Sequence, residues 1–89
     1  MQEVRIYVSG NVQGVGFRAA VYRYASVCRI TGYVCNLPDG RVEILAQGKG
    51  DQINQFIYKV KMRPGMGSIS SMETKTGSLS KPYDSFEIR

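Results

Sequence analysis

Hydrophobic and polar residues follow two different periods in the first third of the chain. Val4, Ile6 and Val8 alternate with polar residues, which is the two-residue period of a strand with one buried face and predicts a strand over about residues 3–10. From Phe17 to Cys28, hydrophobic residues instead recur every three or four positions, which predicts an amphipathic helix.

Residues 33–36 and 41–47 are predicted to form two strands of a β-hairpin. The segment between them, Leu37-Pro38-Asp39-Gly40, contains an Asp-Gly pair that is typical of tight turns with positive φ. A second helix is predicted by an i, i+3, i+4, i+7 stripe of Ile53, Phe56, Ile57 and Val60. Asp51 is the expected N-cap of this helix, which should end near Arg63 because a Pro-Gly pair follows.

Two more strands, over residues 68–76 and 85–89, are separated by a loop over residues 77–82. The resulting order is β-α-β-β-α-β with a short terminal strand. Such spacing favours an α+β, ferredoxin-like (split βαβ) fold, in which two helices cover one face of an antiparallel sheet. No linker or repeat interrupts residues 1–89, so we expect a single domain. The same architecture serves RNA-binding modules, metal carriers and small enzymes, so the fold leaves the function open.

The composition narrows the chemistry. A net charge of +5 favours an anionic partner. The chain contains no histidine, which excludes imidazole-dependent zinc sites, Ser-His and Cys-His nucleophile pairs and a histidine base. Cys28 and Cys35 are too few for a disulfide framework or a paired metal-ligand set. No apolar run approaches the ~20 residues that span a bilayer, and we expect a cytoplasmic protein. We also expect that it uses no cofactor.

The strongest local signal lies between the first strand and the first helix, where residues 12–18 read VQGVGFR. Gly14 and Gly16 permit positive φ and leave N–H groups unshielded, so successive amides can face one concavity. Arg18 adds a permanently charged fork that can bind two phosphate oxygens. The segment has neither the Walker A ending nor the dinucleotide spacing. Spacing alone leaves two interpretations open, a phosphate cradle or a glycine-rich turn followed by a solvated arginine.

Two motifs together resemble the acylphosphatase family. Residues 10–18 read GNVQGVGFR and residues 31–43 read TGYVCNLPDGRVE. The similarity continues through Ala46-Gln47-Gly48 to the terminal Phe86-Glu87-Ile88-Arg89. The resemblance implies metal-independent hydrolysis of the carboxyl-phosphate bond of small acyl phosphates, with carboxylate and inorganic phosphate as products.

The resemblance also implies roles for particular residues. Asn36 would orient the attacking water, although an asparagine at this place could also serve the hairpin turn. Arg18 would bind the phosphoryl group together with the backbone amides of Gln13, Gly14, Val15, Gly16 and Phe17. A carboxylate leaving group, whose conjugate acid has a pKa near ~4, needs no proton at neutral pH. Neither motif contains a candidate base, so our hypothesis is that the substrate phosphate accepts the proton of the water.

Two alternatives come from other functional classes. A basic sheet with exposed Tyr7 and Tyr33 could bind single-stranded RNA by stacking. Gly16-Phe17-Arg18 faintly resembles part of an RNA-binding strand motif, but here it precedes a helix and does not lie within a central strand. The chain could also be a module like the N-terminal domain of hydrogenase-maturation carbamoyltransferases, but it lacks the cysteine-rich zinc segments expected downstream. We therefore expect a monomeric enzyme for a small acyl phosphate, with no nucleic-acid or membrane partner.

Other polar and sulfur-containing residues are expected to have structural roles. Asp39 precedes a glycine and suits a turn, and neither Asp39 nor Glu43 is assigned to acid–base catalysis. Cys28 lies on the apolar stripe of the first helix and is expected in the core. Cys35 is expected on the opposite face of its strand from Val34 and Asn36.

Overall fold

Five strands and two helices make up the described part of the chain, residues 1–79 and 81–89 of the computed structural model. In chain order they are β1 (Gln2–Asn11), α1 (Phe17–Cys28), β2 (Thr31–Asn36), β3 (Val42–Gly48), α2 (Gly50–Met62), β4 (Ser68–Gly77) and β5 (Phe86–Ile88). The predicted order of elements is confirmed. The predicted loop over residues 77–82 contains residue 80, which lies outside the described residues.

The strands form one sheet in the order β4-β1-β3-β2-β5. The first four pair antiparallel as predicted, whereas β5 pairs parallel to β2, with Val34 opposite Ile88. Since β3 lies between β1 and β2 and is antiparallel to both, β1 and β2 run in the same direction and end at one edge of the sheet. The loop after β1 and the hairpin turn after β2 therefore emerge from the same edge.

The core lies between one face of the sheet and the two helices. The hydrophobic stripes predicted from the sequence contribute to it. From the strands come Val4, Ile6, Val8, Val34, Val42 and Ile44; from α1 come Phe17, Val21, Ala25 and Cys28; from α2 come Ile53, Phe56 and Val60. Neither helix in the described residues is long and apolar enough to cross a bilayer. The buried position predicted for Cys28 is confirmed.

The start of α2 differs from the expected one. The prediction of Asp51 as N-cap is wrong, because Lys49 occupies that position and the helix begins at Gly50. The side-chain oxygen of Gln52 accepts a hydrogen bond from the N–H of Lys49 at 3.2 Å, and the carbonyl of Lys49 accepts one from Ile53 at 2.9 Å. Asp51 lies in the first turn, where its negative charge interacts favourably with the helix dipole.

Candidate active site

The loop between β1 and α1 turns through two glycines. Gly14 has a φ of 73° and Gly16 a φ of 77°, so the predicted positive φ is confirmed at both. An added Cβ at either glycine would meet no described atom within 4 Å, so the backbone conformation, and not crowding, is what favours glycine here. Gly16 is the N-cap of α1, and its carbonyl accepts a hydrogen bond from Ala20 at 3.1 Å. The first N–H groups of α1 have no acceptor within the helix, which makes this end favourable for an anion.

A cavity of about 220 Å³ lies beside this loop. The residues around it are Val12, Gly14, Gly16, Phe17, Arg18, Ala19 and Ile88. Of the five predicted amide donors, three line the cavity, while Gln13 and Val15 belong to the same loop outside the lining. The volume is below the ~300–1,000 Å³ of sites for drug-sized ligands, so the cavity suits a small compound.

Arg18 lies in the first turn of α1 and is oriented by the residue that follows β5. Its Nη1 donates a hydrogen bond to the main-chain oxygen of Arg89 at 2.7 Å. The backbone N–H of Arg89 donates to the carbonyl of Val34 at 2.8 Å, and its guanidinium lies 4.3 Å from the centroid of the Tyr33 ring. No described acidic residue forms an ion pair with Arg18. Its guanidinium is therefore held by one N–H group, and the others can bind an anion.

Asn36 is the last residue of β2, at the sheet edge from which the glycine loop emerges. Because side chains alternate along a strand, Asn36 shares the helix-covered face with the fully buried Val34. The Asn36 side chain is exposed, and within residues 1–79 and 81–89 it has no hydrogen-bond partner. The hairpin turn uses Asp39, whose carboxylate accepts hydrogen bonds from the backbone N–H and Nε of Arg41 at 3.0 and 2.8 Å. The turn thus leaves the Asn36 amide exposed at this edge.

The side chain of Gln13 connects the glycine loop to the hairpin. Its Nε2 donates hydrogen bonds to the carbonyl oxygens of Leu37 and Arg41, each at 2.9 Å. Leu37 directly follows Asn36, so the loop is bound to the chain beside that asparagine. From the sequence, only the backbone amide of Gln13 was expected to contribute to the site. No local pattern marks the side-chain contact, because its acceptors lie 24 and 28 residues away.

A polar cluster lies on the sheet face opposite the helices. Glu43 accepts hydrogen bonds from the hydroxyl of Tyr33 at 3.0 Å, from Arg5 at 3.3 Å and from the thiol of Cys35 at 3.6 Å. Burial acts to raise the pKa of Glu43, but hydrogen bonds from Tyr33, Tyr7 and Arg5, with the charge of Arg5, together hold it below its ordinary value. Burial and the nearby Glu43 raise the pKa of Cys35, so its thiol is a weak nucleophile at neutral pH. These contacts agree with the structural roles expected for Glu43 and Cys35.

We expect Glu43→Gln to destabilise the protein at neutral pH and to do so less in acid. Because the pKa of Glu43 is lower in the folded chain, its contribution is fully present above the ordinary value of 4.5 and is lost as the pH falls through the folded value. Losing hydrogen bonds to a charged acceptor predicts a deficit of about 1–2 kcal/mol in the free energy of unfolding at pH 7. Urea denaturation from about pH 7 to about pH 3 measures this deficit.

The matched control is Glu73→Gln, because the Glu73 carboxylate is largely exposed and its ion pair with Lys75 is long, at 3.8 Å. Its effect should stay within about 0.5 kcal/mol at any pH. A deficit for Glu43→Gln that does not change with pH would contradict the assigned electrostatic contribution.

This chain is similar to known proteins over nearly its whole length. The acylphosphatase family model matches residues 4–88. An acylphosphatase of Archaeoglobus fulgidus is 46% identical over 88 residues, which cover 99% of this chain and 98% of the relative. The crystal structure of acylphosphatase from Bacillus subtilis has a TM-score of 0.95 and 35% identity, and the match covers 100% of this chain and 99% of that chain.

A larger protein contains a similar fold. The crystal structure of HypF from T. kodakarensis matches with a TM-score of 0.89 and 33% identity, covering 100% of this chain but 12% of that chain. The matches to the Archaeoglobus and Bacillus proteins instead extend over almost the full length of both partners. The range matched by the family model spans the glycine loop, Arg18 and the end of β2 of this chain. The chain therefore belongs to the acylphosphatase family, whose function is the hydrolysis of acyl phosphates.

Proposed function

We propose that this acylphosphatase works without a metal, that Arg18 and the backbone amides of residues 13–17 bind the phosphoryl group, and that Asn36 orients the attacking water. The observation that carries this proposal is the convergence of three chain segments at one sheet edge. The glycine loop follows β1, Asn36 ends β2, and Ile88 of β5 borders the same cavity as Arg18.

Binding of the phosphoryl group follows from the donors around the cavity. Arg18 has N–H groups left over from its hydrogen bond to Arg89, and a guanidinium matches two phosphate oxygens at once. The amides of the loop and the N-terminus of α1 add N–H donors, and backbone amides do not lose their proton at neutral pH. These groups supply the positive charge that a metal supplies in other phosphoryl-transfer sites.

Hydrolysis then requires water in line with the bond that breaks. The amide of Asn36 can accept a hydrogen bond from water through Oδ1 and donate one through Nδ2, which fixes an orientation without removing a proton. Water attacks phosphorus, the phosphorus–oxygen bond to the acyl group breaks, and the carboxylate leaves with the bonding electrons. A phosphate oxygen of the substrate accepts the proton, and Arg18 with the amides stabilises the charge on the equatorial oxygens.

The substrate preference tests this proposal. Benzoyl phosphate and acetyl phosphate should be hydrolysed equally well with and without EDTA, whereas a phosphomonoester should be hydrolysed far more slowly. A monoester expels a basic alkoxide that needs a proton, and the chain has no histidine to supply one. Phosphate release measures all the rates. Loss of activity in EDTA, or similar rates for the monoester, would contradict the proposed mechanism.

We also propose that the protein acts as a cytoplasmic monomer with no nucleic-acid or membrane partner. Cys28 and Cys35 are both free thiols, which agrees with a reducing compartment.

A further inference from the structure

The side chain of Gln13 has no role in the mechanism proposed above, in which only the backbone amide of Gln13 binds phosphate. Gln13 begins the loop whose amides are assigned to the phosphoryl group, and its side chain is half-buried. Its amide nitrogen contacts two carbonyl oxygens, those of Leu37 and Arg41, both at 2.9 Å. A primary amide has two N–H groups, so both are used and the amide cannot rotate freely.

The two acceptors lie on either side of the hairpin turn that follows Asn36. The carbonyl of Arg41 also accepts a hydrogen bond from the N–H of Leu37 at 2.8 Å, and the carbonyl of Leu37 accepts one from Gly40 at 3.2 Å. Each carbonyl oxygen has two lone pairs and therefore accommodates both partners. Gln13 thus joins a network that closes the base of the hairpin at the residue next to Asn36.

We propose that Gln13 is a positioning residue, whose side-chain amide sets the distance between the phosphate-binding loop and the water held by Asn36. This inference rests on the proposed function, because Gln13 acts through Asn36. The loop turns through two glycines and has little stiffness of its own. In-line attack needs the phosphoryl group and the water at a fixed separation, and a misplacement of about 1 Å costs on the order of 100-fold in rate.

A side chain at position 13 needs two donors to hydrogen-bond to both carbonyls at once. Methionine has a similar length and no donor, so Gln13→Met removes both hydrogen bonds with little change in shape. Glutamate has no donor when ionised and one donor when protonated. In Gln13→Glu the two carbonyls favour the protonated form, and one of the two hydrogen bonds should return as the pH is lowered.

A double-mutant cycle with Asn36→Ala tests the inference, using kcat and KM for benzoyl phosphate. We expect Gln13→Met to lower kcat by about 10-fold or more and to change KM by less than about 3-fold, since a misplaced water slows the reaction and leaves phosphate binding intact. In the Asn36→Ala background, Gln13→Met should have almost no further effect. Gln55→Met, on the exposed surface of α2, is the matched control and should leave kcat unchanged.

The pH profile separates positioning from folding. Relative to the unchanged protein, Gln13→Glu should gain activity as the pH falls from about 7 to about 5, whereas Gln13→Met should not. Thermal denaturation of each variant shows whether it is folded at the assay temperature. Among variants that are folded at that temperature, a Gln13→Glu protein whose activity does not rise in acid relative to the unchanged protein would overturn the positioning role.

The remaining outcomes distinguish this inference from the proposed function. Normal kcat in Asn36→Ala would contradict the role of Asn36 and with it the basis of the inference. A low kcat in Asn36→Ala with normal kcat in Gln13→Met would overturn the role of Gln13 alone. Losses that multiply in the double variant would also overturn it, because Gln13 would then act independently of Asn36.

Discussion

Arg18→Gln is expected to lower kcat/KM for benzoyl phosphate by about 1,000-fold or more, with a smaller kcat and a larger KM. Glutamine lacks both the charge and the fork that match two phosphate oxygens. The effect should appear in both constants because Arg18 binds the phosphoryl group in the substrate and binds it more strongly as charge develops in the transition state. Steady-state phosphate release measures the two constants.

Two further variants, one at Arg18 and one at Arg23, separate the effect of a specific contact from the effect of positive charge. Arg18→Lys keeps the charge but loses the planar fork, and should recover only part of the activity. Arg23→Gln removes a positive charge from the exposed part of α1 and should change kcat/KM by less than about 3-fold. Equal losses for Arg18→Gln and Arg23→Gln would mean that the general positive field, and not a specific contact, explains the activity.

Asn36→Ala is expected to lower kcat by about 100-fold while KM changes by less than about 3-fold. The difference from Arg18 follows from geometry, since Arg18 lines the cavity, whereas Asn36 is not among the described residues that line it and has an exposed side chain at the end of β2. Removing that amide frees the water and leaves the donors to phosphate in place. Folding should be unaffected, because the hairpin turn uses Asp39 and backbone groups.

Asn54→Ala is the matched control for Asn36→Ala, because Asn54 is an exposed asparagine on α2. It should leave both kcat and KM unchanged. A rise in KM for Asn36→Ala with an unchanged kcat would instead assign Asn36 to substrate binding and contradict its role in orienting water.

Local patterns predicted most of the fold because each element buries one face. The alternation of Val4, Ile6 and Val8 specifies which side of β1 is buried, and the stripe ending at Val60 specifies the buried face of α2. The start of α2 was misplaced because an aspartate is a common N-cap, whereas here the contact between Lys49 and Gln52 decides the boundary.

From residue type and spacing, only the part of the candidate site formed by residues close together in the sequence could be predicted. Gly14, Gly16 and Arg18 lie close together in the sequence, so their loop conformation could be expected from residue type. The hydrogen bond from Arg18 to Arg89 spans 71 positions, and the contacts of Gln13 depend on β1 and β2 ending at one edge. These contacts follow from the strand order, which no local periodicity contains.

Titration of the 15N-labelled protein with inorganic phosphate in EDTA tests whether residues 13–17 and Arg18 form a phosphate site that needs no metal. The largest chemical-shift changes are expected at the backbone amides of residues 13–17 and at the guanidinium of Arg18. Arg18→Gln should abolish these changes, whereas Asn36→Ala should retain them. Changes centred elsewhere on the chain, or changes at the loop that persist in Arg18→Gln, would show that the loop and Arg18 do not form the phosphate site.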